Sequence, residues 1–241
     1  MMNILVLAAS EHYIDSADKN YPLCLSEIKG KPLVQIIAEN INFNEGRTCF
    51  LFQDKHIKKY RLDNIVKLLS NDKFESIAVP EDTAGAACTA LLGVVSLEQE
   101  LPLLIISANQ LIDIDYEELC TSMKNSGYDA GTIIFDSVHP RYSYVILEDN
   151  LVVEASEKNP ISRNATAGVY WFNKTDYFTQ AVKQMIRKDA RVDQQFYICP
   201  SLNELVLQGM KIGVHRIDTS KYHPLKSQSH VENIKASDEN I

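Results

Sequence analysis

Asn3-Ile4-Leu5-Val6-Leu7-Ala8 opens the chain as an almost unbroken apolar run. A strand with one wet face alternates apolar and polar side chains. A run without alternation suits a strand covered on both faces, which is the habit of parallel sheets. The pattern returns at Leu101-Pro102-Leu103-Leu104-Ile105-Ile106-Ser107. Working outward from the first run, Lys31-Pro32 opens a helix from Leu33 to about Asn42, with proline near the first helical position, where its missing N–H costs nothing. Residues 48–52 read as a second strand, 57–70 as a helix, 77–80 as a third strand and 84–98 as a helix rich in Ala and Leu. Residues 101–107 are then the fourth strand, followed by a helix over 115–125 and a strand over 130–136. Such regular alternation predicts βαβ units and a parallel sheet.

The second half of the chain changes character. Residues 142–147 and 151–155 flank the polar turn Glu148-Asp149-Asn150 and predict a hairpin. Residues 167–172 read as a strand, 175–187 and 202–208 as helices, the latter stopped by Gly209, and 211–217 as a last strand. A parallel half followed by a mixed half fits a three-layer α/β/α sandwich with a mostly parallel central sheet. The expected layout is one Rossmann-like domain over 1–228 and a C-terminal tail over 229–241, whose acidic residues Glu232, Asp238 and Glu239 suit a frayed end. Ligands in such sheets bind beyond the carboxyl ends of the strands. The loops after Ala8, Pro80 and Ser107 are therefore the places to look.

The composition narrows the classes. The 241 residues are 45% hydrophobic and 23% charged, which is globular rather than disordered. The formal charge of −8 gives no electrostatic reason to expect a nucleic-acid or membrane partner. Five cysteines, Cys24, Cys49, Cys88, Cys120 and Cys199, contain no CxxC pair and are odd in number, against a disulfide framework or a zinc site. His12, His56, His215, His223 and His230 show no ligand spacing. No apolar run approaches a transmembrane length, and no charged region precedes the first apolar stretch. Reduced thiols and a cytoplasmic location are expected.

Three stretches carry a family resemblance. Ile4-Leu5-Val6-Leu7-Ala8-Ala9 is followed, after a long loop, by Gly30-Lys31-Pro32-Leu33. Thr83-Ala84-Gly85-Ala86 begins a helix. Glu157-Lys158 is followed, after a polar stretch, by Ala167-Gly168-Val169-Tyr170-Trp171-Phe172. In this order and spacing they resemble the GT-A-like sugar-phosphate nucleotidyltransferases, most of all the small capsule and lipopolysaccharide biosynthesis members. His139-Pro140-Arg141-Tyr142-Ser143-Tyr144 and the segment from Phe196 to Glu204 are similar to stretches expected there. The resemblance covers nearly the whole chain, and it is the ordered set that is specific.

That resemblance implies a definite chemistry. A phosphate oxygen of a sugar phosphate attacks the α-phosphorus of a nucleoside triphosphate, and pyrophosphate leaves. Two polyanions must meet, so cations, Mg2+ held by carboxylates, and backbone N–H groups are needed. By resemblance, Ala8, Ala9, Thr83, Gly85, Asn109 and Gln110 would lie on the nucleotide side. Glu157, Lys158, Gly168 and Arg141 would hold the sugar phosphate, with Gly168 letting the sugar approach its strand. Asn109 and Asp218 stand where metal ligands are expected. A nucleotide and a sugar phosphate would be the partners, and a homo-oligomer is left open.

The chain departs from the family pattern on the triphosphate side. Ser10-Glu11-His12-Tyr13-Ile14-Asp15 contains no glycine and no arginine, where a phosphate cradle would need both. Glu11, Asp15 and Asp18 would repel a triphosphate. Leu23 stands at the family's lysine, with Lys19 on the far side of Pro22, and Asn109 stands at the metal aspartate, bringing a carbonyl oxygen but no charge. Other readings stay open beside these. Thr83 and Asp115 are both good helix N-caps. Asp113 and Asp115 could form a displaced metal pair, and their Asp-x-Asp spacing also fits a GT-A glycosyltransferase. Three functions therefore compete: nucleotidyl transfer, a catalytically impaired protein that binds a nucleotide sugar or pairs with an active subunit, and glycosyl transfer.

Overall fold

The computed structural model describes residues 1–9, 22–41 and 46–225. The loop read as a poor phosphate cradle and the tail over 229–241 lie outside the described residues. Strand β1 is Asn3–Leu7, and all five of its residues are buried, as the unbroken apolar run requires. It pairs in parallel with β2 (Arg47–Gln53) on one side. Strand β3 (Phe74–Val79) extends that side, pairing in parallel with β2. On its other side β1 pairs in parallel with β4 (Leu103–Ser107).

The mixed half begins with β5 (Ala130–Asp136), β6 (Ser143–Glu148), β7 (Leu151–Glu157) and β8 (Asn164–Phe172). The last strand of the central sheet, β9 (Ile212–Arg216), pairs in parallel with β5. Strand β8 is long and antiparallel to its neighbours. Its second half pairs with β4, and beyond the end of β4 its Ala165 pairs with Tyr144 of β6. On its other side both ends of β8 pair with β5, with a register break between Thr166 and Tyr170. The β6–β7 hairpin therefore stands beyond the carboxyl end of β4 and walls in the space above the parallel strands. Its turn puts Asp149 and Asn150 at φ 49° and 63°, the left-handed pair of a two-residue hairpin turn.

Helices cover both faces. Alternate residues of each strand go to opposite faces, so Ile4, Val6, Phe50 and Phe52 join one core, and Leu5, Leu7, Cys49 and Leu51 the other. On the first face lie α1 (Leu33–Asn40), α3 (Leu62–Ser70) and α5 (Tyr116–Asn125). On the second lie α4 (Ala86–Val94), α6 (Thr175–Arg187) and α7 (Leu202–Val206). This is the expected three-layer sandwich.

Two local expectations are corrected. The helix read over 57–70 is two helices, α2 (Asp54–Tyr60) and α3, with Arg61 left-handed at φ 55° between them. The apolar positions Ile57 and Leu62 are five residues apart, which no single helix places on one face. The break at Arg61 resets the phase, so that Leu62 and Val66 enter the core. The helix read from residue 84 starts two residues later, with Gly85 rather than Thr83 as its N-cap. The Thr83 hydroxyl instead meets that of Thr89 at 2.6 Å. Asp115 does cap α5, accepting from the Glu117 and Glu118 N–H groups.

Candidate functional site

Where β1, β2, β3 and β4 end, a cavity of about 670 Å³ opens between the sheet and the hairpin. Its lining gathers Ala9, Thr83, Gly85, Asn109 and Gln110 on the parallel half with Arg141, Glu157, Lys158 and Gly168 on the mixed half. Two of the residues expected at the site are not in the lining. Ala8 is core: it is buried and its N–H bonds the Leu51 carbonyl. Asp218 caps a 3-10 turn, its Oδ1 2.8 Å from the Ser220 N–H, and those bonds hold its pKa below the usual carboxylate value. The Asp-x-Asp pair is also committed elsewhere. Asp113 lies 2.7 Å from His223 Nε2, Asp115 caps α5, and neither lines the cavity.

Each wall has a local cause. Gly85 takes φ 112° and lies against the backbone of Phe196, where an added Cβ would fall 2.5 Å from the Phe196 oxygen. The segment is stitched there by Ala87 N–H to Phe196 O and Phe196 N–H to Ala84 O. This close approach needs glycine. Gly168 sits in the register break of β8 at φ 63°. Beside it Gln110, 5% exposed, donates to the Ala167 carbonyl and accepts from the Tyr222 hydroxyl at 3.0 Å.

The hairpin supplies the charged groups. Glu157 ends β7 opposite Ser143, whose hydroxyl donates to its carboxylate, and is 9% exposed. Lys158 leaves the strand in the left-handed region at φ 55°, and both it and Glu157 line the one cavity. Successive residues of a continuous strand would point to opposite faces. The Lys158 ammonium lies 2.8 Å from the Tyr197 hydroxyl and 2.9 Å from the Asp193 carboxylate. These two bonds, the hydroxyl first, raise its pKa, so it is a cation throughout the neutral range. The Arg141 guanidinium stacks 5.2 Å over the Tyr142 ring, at the same end of the cavity.

Gln53 and Glu81 line the cavity without having been singled out in the sequence, and Ser143 and Tyr197 lie in the two stretches that resembled the family without having been given a role. Gln53 directly follows the strand read over 48–52, so the rule that ligands sit at carboxyl ends would have found it had that loop been searched as well. Asp193 and Tyr197 lie 35 and 39 residues beyond Lys158, and no periodic signal joins them.

Among the described residues the lining does not compose a Mg2+ site. Its acids among the described residues are Glu81, paired with Lys55 at 2.7 Å, and Glu157, which faces Ser143. Asn109 adds only a neutral oxygen. Among the described residues no group of three His, Cys, Asp or Glu side chains could hold a metal ion. No helix of the described chain is long and apolar enough to cross a membrane.

The nucleotidyl transferase family model matches residues 22–208. No curated protein matches the chain by sequence. Among solved structures, the chain is similar to a nucleoside-diphosphate-sugar pyrophosphorylase from Vibrio cholerae RC9, with a TM-score of 0.84 at 17% identity over 98% of this chain and 100% of that one. It is similar to a UDP-glucose pyrophosphorylase complexed with UDP-glucose, at 0.75 and 16% over 100% and 99%. It is also similar to an inositol-1-phosphate CTP transferase from T. maritima, at 0.74 and 14% over 99% and 97%. At these identities the likeness establishes a shared fold.

Proposed function

Because the chain belongs to the nucleotidyl transferase family, we propose that its cavity holds a nucleotide and a phosphorylated sugar end to end and that its reaction is nucleotidyl transfer for surface-polysaccharide synthesis. One observation carries the reading. A single cavity joins the nucleotide-side residues Thr83, Gly85 and Asn109 to the sugar-side residues Arg141, Glu157 and Lys158. The polarity of the cavity orients the ligand. Glu157 accepts from sugar hydroxyls, Lys158 and Arg141 face the phosphate, and the base lies toward β2 and β3. In the reaction an oxygen of the sugar phosphate bonds the α-phosphorus, the bond from that phosphorus to the bridging oxygen breaks, and pyrophosphate leaves. The residues named here bind and orient the two ligands, and positioning of this kind supplies a large part of such catalysis.

A second reading has its own support. The described lining lacks a Mg2+ donor set, and Lys158 is already engaged by Asp193 and Tyr197. Both favour a protein that binds a nucleotide sugar without turning over. Pyrophosphate release, assayed with each nucleoside triphosphate against a panel of sugar 1-phosphates and Mg2+, tests the first reading. Complete inactivity combined with tight binding of a nucleotide sugar would establish the second. Absence of both would remove the site.

A further inference from the structure

Gln53 is the last residue of β2, between the ends of β1 and β3, and it lines the cavity while being 1% exposed. Its Nε2 donates to the Ala9 carbonyl at 3.0 Å. Its Oε1 is buried and has no hydrogen-bond partner among the described residues. The amide cannot turn over, because that would set Oε1 against the Ala9 carbonyl oxygen, acceptor against acceptor. The side chain is thus fixed as an acceptor. A buried acceptor left unpaired is uncommon in a folded protein and asks for a donor from outside. Glu81, one strand over, lines the same end, with its carboxylate held 2.7 Å from the Lys55 ammonium. Glu81 is thus already engaged by a cation, whereas Gln53 Oε1 has no donor among the described residues.

We propose that this end receives a nucleobase bearing an amino group at pyrimidine C4 or purine C6, cytosine or adenine, whose amino N–H donates to Gln53 Oε1. The inference rests on the nucleotide reading above and deepens it. Cytosine and adenine present an amino donor where uracil, thymine and hypoxanthine present a carbonyl oxygen. A carbonyl in that place would leave two buried acceptors facing each other, and only a shift of the base that brought its ring N–H to Gln53 would relieve them, which is the preference for UTP and ITP that counts against the proposal.

The test uses ligand pairs that differ in that group and in the proton on the adjoining ring nitrogen: CTP against UTP, and ATP against ITP, titrated calorimetrically into the full chain. At least one amino nucleotide should bind roughly ten- to a hundredfold more tightly than its carbonyl counterpart, the cost of leaving buried polar groups unpaired. The near-isosteric Gln53→Met variant should bring that ratio to within about twofold, since one acceptor then no longer discriminates. Equal binding within both pairs, or a preference for UTP and ITP, overturns the base inference and leaves the nucleotide site standing. Failure of all four to bind overturns this inference, and the nucleotide reading is then decided separately by titration with a nucleotide sugar. A preference that survives in folded Gln53→Met also overturns it. If that variant does not fold, the wild-type pairs still decide.

Discussion

Gly168→Ala is the substitution whose consequence the structure fixes most tightly. The residue holds φ 63°, where an L side chain costs roughly 1–2 kcal/mol. Its new Cβ would lie 2.7 Å from Gln110 Nε2, 3.1 Å from Oε1 and 3.2 Å from Cδ. Gln110 cannot simply swing aside, because it is pinned by the Ala167 carbonyl and the Tyr222 hydroxyl. Displacing it breaks one buried hydrogen bond and adds roughly 1–3 kcal/mol. The sum is a loss of roughly 2–5 kcal/mol. For a chain of this length each kcal/mol lowers the melting temperature by about 2–4 °C, so a clear drop is expected in calorimetry and in urea unfolding. Adding Gln110→Ala removes the group that the methyl strikes. The double variant should therefore be less destabilised than the two single losses added together, by at least about 0.5 kcal/mol. A Gly168→Ala protein within about 0.5 kcal/mol of wild type, or strict additivity with Gln110→Ala, would refute the account of this bulge.

Two further outcomes follow from the titratable groups. Burial raises the Cys24, Cys120 and Cys199 thiols to about 12 and Cys49 to about 11, while Cys88 is only partly buried. Iodoacetamide at pH 8 should thus mark Cys88 first in the native protein and all five after unfolding, and rapid native labelling of Cys24 or Cys199, read by mass spectrometry, would contradict the packing. His215 is held below the ordinary imidazole value, mainly by burial and against the pull of Glu118. Its neutral form stabilises the fold above about pH 6.5, and that contribution is lost as the pH falls through the lower folded value. His215→Gln should lose less of its urea midpoint than wild type between pH 7.5 and 5.0, and parallel curves would rule the effect out.

Much of this molecule is legible in its sequence because burial on two faces leaves a local trace. The runs at β1 and β4 lack alternation, and the two strands prove parallel to each other and almost wholly buried. The 175–187 helix and the 130–136 strand have the bounds their patterns predict. What periodicity misses is a single residue outside the regular φ/ψ regions. Arg61 splits one expected helix because a left-handed residue costs little sequence signal while shifting phase. Thr83 looks like a cap, yet the glycine-only approach to Phe196 moves the helix start to Gly85. At the site, residues adjacent in sequence were found as pairs, as with Glu157 and Lys158. Partners distant in sequence, such as Asp193 for Lys158 or Tyr222 for Gln110, were not, because only the folded chain brings them together. Asp218 shows the converse: a carboxylate at the expected position in sequence is used up by a local turn.

The two halves of the cavity are joined through one side chain. Gln110 follows the end of β4 on the parallel half of the cavity, yet its amide bonds Ala167 of β8, beside the bulge that shapes the mixed half. Tyr222, from the chain's last described strand, closes the same link from a third direction. A network whose every member is satisfied is rigid, and its parts cannot be altered singly without leaving a buried polar atom unpaired. Gln53 is built the opposite way. It is equally buried and equally fixed at one end, but its remaining oxygen has no partner among the described residues. The contrast separates the two roles within one cavity. Gln110 spends its hydrogen bonds on the protein and holds the walls in place, whereas Gln53 keeps one in reserve. Asp63 Oδ1 is likewise buried without a partner among the described residues, but it lies off the cavity; Gln53 differs in lining it, where a bound ligand can supply the donor, and the paired nucleotide titrations measure whether it does.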